Sequence, residues 1–313
     1  MPDTQNPTPA STAVRADREA MAARRWRPGL LTIASSLLAI IGLSVVIYPS
    51  AASWLTSYNQ SLLIEEMGQS LEHVSPGVDQ QLAMAKAYNN ALSSGVVLDA
   101  NANVPTGSGI TSNADLRYED MLSAGTSDVM ARLRIPGIDV DLPIYHGTSD
   151  ETLLRGIGHL EGSSLPIGGA DTHSVLTAHR GLAQAEMFTN LDKVGVGDRF
   201  TVEVFGEVLT YEVRETKVVD PEDTDSLHAV SGEDLVTLVT CTPLGINSQR
   251  ILVTGERVTP TPIEDIEAAG EDPTIPGFPW WAVIYGGGLL AIGAYFWRSG
   301  YGDARRSAAA KAR

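Results

Sequence analysis

Residues Leu235–Val258 read LVTLVTCTPLGINSQRILVTGERV. Two runs rich in Val, Leu, Ile and Thr flank a turn built from Pro243, Gly245 and Asn247. Strand formers on either side of turn formers predict a β-loop-β unit. Cys241, the single cysteine of the chain, closes the first run, and Arg250 opens the second. A thiol and a guanidinium at facing strand ends suit a nucleophile beside a substrate or oxyanion clamp. A buried structural cysteine next to a surface arginine fits the same letters, so both readings stand at this point.

Outward from that unit the pattern stays β. Met130–Ile135, Val140–Tyr145, Ser174–His179, Arg199–Phe205 and Val208–Val219 are further short runs of strand character. With Leu235–Cys241 and Ile251–Val258 they make seven strands over 129–258, which predicts a mainly β barrel or sandwich. Gly181–Leu191 and Asp223–Val230 read as short helical turns. Residues 259–279, rich in Pro, Glu and Asp, read as a linker. Upstream, over 49–128, apolar residues recur at helical spacing: Leu62, Leu63, Met67 and Leu71, then Leu82, Ala85, Tyr88 and Leu92. That spacing predicts two helices parted by Ser75-Pro76-Gly77, serving as a stalk or folding partly over a site. Ser93–Asn113 is a loop rich in Gly, Asn and Ser.

Two apolar runs frame this middle region. GLLTIASSLLAIIGLSVVIY, residues 29–48, is uncharged and has about the 20 residues a membrane-spanning helix needs. Its length favours an uncleaved anchor over a signal peptide, although Ser50-Ala51-Ala52 resembles a cleavage site. WWAVIYGGGLLAIGAYFW, residues 280–297, carries aromatic residues at both edges, as interfacial belts do. The tails 1–28 and 298–313 hold ten of the 22 Lys and Arg but only four of the 38 acids. Their charge is therefore +6, and the middle holds −22 of the total −16. The positive-inside rule then predicts two spans, both termini cytoplasmic and the middle domain extracytoplasmic. So acidic a chain is not built for nucleic acid, whose phosphates need clustered cations. A lone thiol outside the cell cannot form an intramolecular disulfide, which shifts the reading of Cys241 toward reactivity.

A free thiol is mostly protonated at neutral pH, so a nucleophilic Cys241 needs a base or cation nearby. Of the six histidines, His73 and His228 lie in polar helical or connecting segments. His146, His159 and His173 sit at strand ends beside small residues, where a structural hydrogen bond is the default. His179 differs: it ends the apolar run SVLTAH just where Arg180-Gly181 turns the chain. No acidic or histidine set shows metal-ligand spacing, and the one glycine triplet, Gly286–Gly288, falls inside an apolar run.

These residues also carry a family resemblance. Thr237-Leu238-Val239-Thr240-Cys241 is similar to the TLxTC signature of sortases, the transpeptidases of Gram-positive surfaces. Val175–Gly181 (VLTAHRG) resembles the segment holding their catalytic histidine, and Arg250 matches their arginine. LPIYHG at Leu142–Gly147, GHLEGSSLP at Gly158–Pro166 and TCTPLGIN at Thr240–Asn247 resemble class C, the pilin-polymerising sortases. The resemblance implies a mostly antiparallel β-barrel with short helices, preceded by a helical stalk or lid segment and flanked by two membrane helices. It implies cysteine transpeptidation of an LPxTG-like C-terminal sorting signal on pilin or surface-protein partners, with no cofactor. Cys241 would be the nucleophile, His179 the acid and base, and Arg250 the clamp, the ionised pair lowering the thiol pKa. Thr240, Ala178 and Leu244 would belong to the substrate pocket; Ala178 replaces the usual Gly and Leu244 the usual Tyr. Leu98-Asp99-Ala100-Asn101 matches the family's lid anchor in its acid alone, so Asp99 is the lid candidate. The rival readings are a housekeeping sortase that anchors surface proteins to cell-wall peptide and a non-catalytic membrane-tethered β-domain.

Overall fold

The computed structural model describes residues 26–93, 110–111, 116–123, 128–273 and 275–311. The chain divides into two compact units, one comprising Ala52–Gly277 and the other the segments on either side of it.

In the terminal unit, the helix α1 (Leu30–Ser70) supplies its first half, and the last helix of the chain is Trp280–Lys311. Both are long and apolar enough to cross a membrane. Leu31, Leu38, Val46 and Leu290 are exposed, which a buried core helix would not allow. The two helices pair antiparallel: Asp303 Oδ2 accepts from Gly29 N at 2.8 Å and from Thr32 Oγ1 at 2.7 Å, while Ser44 and Tyr285 bond through their hydroxyls at 3.0 Å. A Cβ at Gly288 would run into Leu43, so a small residue permits this approach.

The second unit is built on a closed barrel. Its strands are β3 (Val129–Ile135), β4 (Val140–His146), β5 (Ile157–His159), β6 (Thr172–Thr177), β7 (Arg199–Val204), β8 (Glu207–Val219), β9 (Asp234–Thr242) and β10 (Gln249–Arg257). The order around the barrel is β10-β8-β7-β3-β4-β5-β6-β9, and closure leaves no sheet edge. Every junction is antiparallel except β4–β5 and β6–β9. Two residue pairs, β1 (Leu92–Ser93) and β2 (Ile110–Thr111), form a separate small sheet. The Asp99 lid assignment lies outside the described residues.

Alternation sorts side chains to two faces. Leu176, Ala178, Val236, Leu238, Ile251 and Val253 join the main core, which also takes in Phe200, Val202 and Tyr211. Val175, Val239 and Leu252, one residue out of phase, form a second apolar cluster with Leu160 and Leu227 on the opposite face.

Three expectations change. The second helix of the prefix is part of the folded unit: α2 (Val78–Ala91) buries Leu82, Ala85 and Tyr88 in the main core. Its polar residues bond to distant backbone, Asn89 to both the N and O of Leu165 (2.8 and 3.1 Å) and Gln81 Oε1 to Leu122 N (3.1 Å). The segment after the barrel is not a free linker over its first part. Arg134 donates to Ala268 O at 2.7 Å, Arg132 to Glu271 O at 3.0 Å and Thr210 Oγ1 to Asp265 at 2.6 Å. Finally, β5 is an eighth strand that the sequence reading lacks. It has three residues, one of them glycine, and at Gly158 an added Cβ would meet the Gly147 carbonyl.

Candidate functional site

Cys241 and Arg250 face one another directly in the β9–β10 register. His179 joins them through the parallel β6–β9 junction. The printed pairs run from Thr172↔Asp234 to Thr177↔Val239 with a constant offset, and side-chain bonds extend it. Thr240 Oγ1 donates to Ala178 O at 2.8 Å, Ala178 N to Val239 O at 3.2 Å, and Arg180 Nη1 to Thr242 Oγ1 at 3.0 Å. His179, between Ala178 and Arg180, is thereby held level with Cys241, between Thr240 and Thr242. The strand itself stops at Thr177, two residues short of the sequence boundary, so the imidazole belongs to the departing loop. By alternation Cys241 and Arg250 share the face of Val239 and Leu252, and His179 that of Val175 and Thr177. His179, just past the end of β6, thus lies beside Cys241 on β9, which pairs with Arg250 on β10.

Arg250 is buried, 6% exposed, and its Nη1 donates to the carbonyls of Asn247 (3.0 Å) and Gln249 (3.1 Å). Backbone carbonyls therefore anchor the guanidinium, which fixes a positive charge beside the thiol. Burial nevertheless pushes the Cys241 thiol up, against the lowering exerted by Arg250. Burial likewise pushes the His179 imidazole down, against Asp150 at the start of the short helix α3 (Asp150–Arg155), which favours the cation. The direction for the thiol is the reverse of the expected lowering, because desolvation outweighs the charge of Arg250.

The substrate-pocket assignments divide. Ala178 and Thr240 are buried, 3% and 1% exposed, and Ala178 is part of the main core. Thr240 spends its hydroxyl on the Ala178 carbonyl, so these two residues tie the strand ends together. Leu244 does lie at the surface, 52% exposed, with Ile246 beside it in the β9–β10 turn. Leu244 also closes over Gly181, where φ is +75° and a Cβ would collide with the leucine side chain. Gly181→Ala is therefore expected to cost about 1–2 kcal/mol in backbone strain and to displace either Leu244 or the His179 loop. A lowered thermal midpoint together with slower turnover checks this, and wild-type values for both would refute it.

Arg180 escaped the sequence reading because an arginine after a strand reads as a surface residue. Its pairing with the Thr242 hydroxyl and the Thr189 carbonyl depends on segments that only the fold brings together.

A family model described as the Sortase domain matches residues 133–258. Sortase D of Bacillus subtilis is 31% identical over 137 residues, 43% of this chain and 66% of that protein; the match spans about two thirds of that relative. Among solved structures, sortase C-1 from Actinomyces oris is 50% identical with a TM-score of 0.52, covering 58% of this chain and 97% of that one. The Streptococcus pneumoniae Sortase C structure is 37% identical with a TM-score of 0.55, covering 64% of this chain and 97% of that one.

Proposed function

The chain belongs to the sortase family, and from that premise we propose that it is a pilin-polymerising cysteine transpeptidase. The observation that carries this reading is the alignment of His179, just past the end of β6, with the Cys241–Arg250 pair of β9 and β10. In the reading, His179 takes the Cys241 proton, and the resulting thiolate attacks the Thr carbonyl of an LPxTG-like sorting signal. Arg250, its side chain anchored by two carbonyls, stabilises the charge on the carbonyl oxygen. The Thr–Gly bond breaks, the glycine amine leaves with a proton from His179, and a thioacyl enzyme remains. His179 then takes a proton from an incoming lysine amine, which displaces the thiolate and forms an isopeptide bond. Support for a pilin as substrate comes from the Streptococcus pneumoniae Sortase C, a protein with pilin substrate specificity. The charge asymmetry and the antiparallel helix pair support a two-span protein with both termini cytoplasmic and the catalytic unit outside.

Mass spectrometry of the full chain incubated with an LPxTG-like peptide tests the chemistry: a thioacyl adduct on Cys241 is expected, and unmodified protein sinks the reading. A deletion strain separates the two sortase roles. Loss of high-mass pilin ladders is the expected result, while loss of wall-anchored monomers alone would favour the housekeeping role.

The protonation states give a pH prediction. With the thiol above its ordinary ~8.5 and the imidazole below ~6.5, the one-proton-exchanged ion pair is a small, constant fraction between the two values. Peptide cleavage is expected to show a broad bell, falling below the lowered imidazole value and above the raised thiol value. Iodoacetamide should alkylate Cys241 at pH 7 at no more than a few per cent of its rate at high pH. Near-maximal alkylation at pH 7 would mean that the thiolate–imidazolium pair predominates instead.

A further inference from the structure

We infer that Arg180 is the positioning residue that holds His179 in register with Cys241. The inference deepens the proposed reaction and rests on its Cys241–His179 pairing.

Arg180 follows the imidazole directly and its side chain is 8% exposed. Each guanidinium nitrogen has a separate partner. Nη1 donates to Thr242 Oγ1 at 3.0 Å, Nε to Thr189 O at 3.1 Å, and Nη2 pairs with Asp192 Oδ2 at 2.8 Å. The three partners belong to different segments: the strand end just past the nucleophile, the loop that leaves His179, and the 3-10 turn Leu191–Lys193. Two further bonds draw the same loop together, Phe188 N to His179 O at 3.1 Å and Gly181 N to the Thr189 hydroxyl at 3.1 Å.

The need for such a clamp follows from where the ladder ends. β6 stops at Thr177, so ordinary sheet bonding does not reach His179. On one side Thr240 ties Ala178 to β9; on the other, Arg180 ties the outgoing loop to the end of β9. Asp150 acts on the imidazole charge and Arg250 on the thiol charge, so Arg180 contributes through geometry. Planarity matters here, because a rigid fork with donors at three corners can join three segments that a single ammonium cannot. A displacement of about 1 Å at a reacting group can slow turnover about 100-fold.

The test uses the full-length protein in detergent with an LPxTG-like peptide. Arg180→Met is expected to lower kcat about 10- to 100-fold with KM within about twofold of wild type. Arg180→Lys should recover only part of that loss. Thr242→Val should lower kcat several-fold, and combining it with Arg180→Met should cost nothing further, since both remove one bond. A kcat within about twofold of wild type in Arg180→Met, or additive losses in the double variant, overturns the inference. If Arg180→Met does not fold, Thr242→Val decides alone, and an unchanged kcat overturns the role. His179→Ala separates the two claims: full activity there sinks the pairing itself, whereas an inactive His179→Ala beside fully active Arg180 variants sinks only the clamp.

Discussion

Cys241→Ala is expected to abolish both the thioacyl adduct and transfer to an amine, a rate loss of roughly 10⁴-fold or more, while the thermal midpoint stays within about 2 °C. The two halves of this expectation have different causes. Catalysis disappears because no neighbouring group can substitute. The Thr240 hydroxyl is turned inward and donates to Ala178 O, and the Thr242 hydroxyl accepts from Arg180. Neither has a thiol's intrinsic nucleophilicity. Stability is spared because Cys241 is half-buried at a strand end, and the apolar cluster beneath it is made by Val175, Val239 and Leu252. Trimming one sulfur there costs about 1 kcal/mol or less. A variant that still assembles pilin ladders would revive the non-catalytic β-domain reading.

Arg132→Met is expected to have the largest effect on stability, a loss of about 3–5 kcal/mol and a thermal midpoint lower by about 10 °C. The Arg132 side chain is 3% exposed and grips Asp141 through two bonds, at 2.6 and 2.7 Å. It also reaches Glu203 at 3.4 Å and the Glu271 carbonyl at 3.0 Å. Methionine fills much of the volume but removes the two short bonds to Asp141 and leaves Glu203 only the longer pairing with Arg134 at 3.6 Å, and the poorer compensation of these largely buried carboxylates dominates the loss. Adding Asp141→Asn should therefore recover part of the midpoint. A shift under about 2 °C for Arg132→Met would show that solvent reaches these carboxylates and carries their charge.

Much of the site was legible because it depends on local pattern. The alternation of Leu235–Cys241 fixes which residues face the core, and the turn at Pro243–Asn247 returns the chain so that Arg250 meets Cys241. His179 was findable as a polar residue ending an apolar run. What stayed hidden depends on contacts distant in sequence. Gln81 and Asn89 read as the solvent face of a helix, yet they bond to backbone 41 and 76 residues away. Strand β5 is too short to show a period, and it exists because β4 and β6 bracket it. That Ala178 and Thr240 turn their side chains inward was also hidden, because strand parity, not proximity to the nucleophile, decides which way a side chain points. The direction of the thiol pKa was unreadable for a similar reason, since burial is a property of the closed barrel.

The parallel β6–β9 junction has a bearing on how the protein comes into being. Nucleophile and base are 62 residues apart in the chain, and β7 and β8 are threaded between them. Synthesis therefore delivers the histidine first and the cysteine long after it. Until the last strands zip into place, the emerging chain carries a thiol with no base beside it. If the proposed roles hold, acyl transfer is thus withheld from every unfinished copy until the fold is complete.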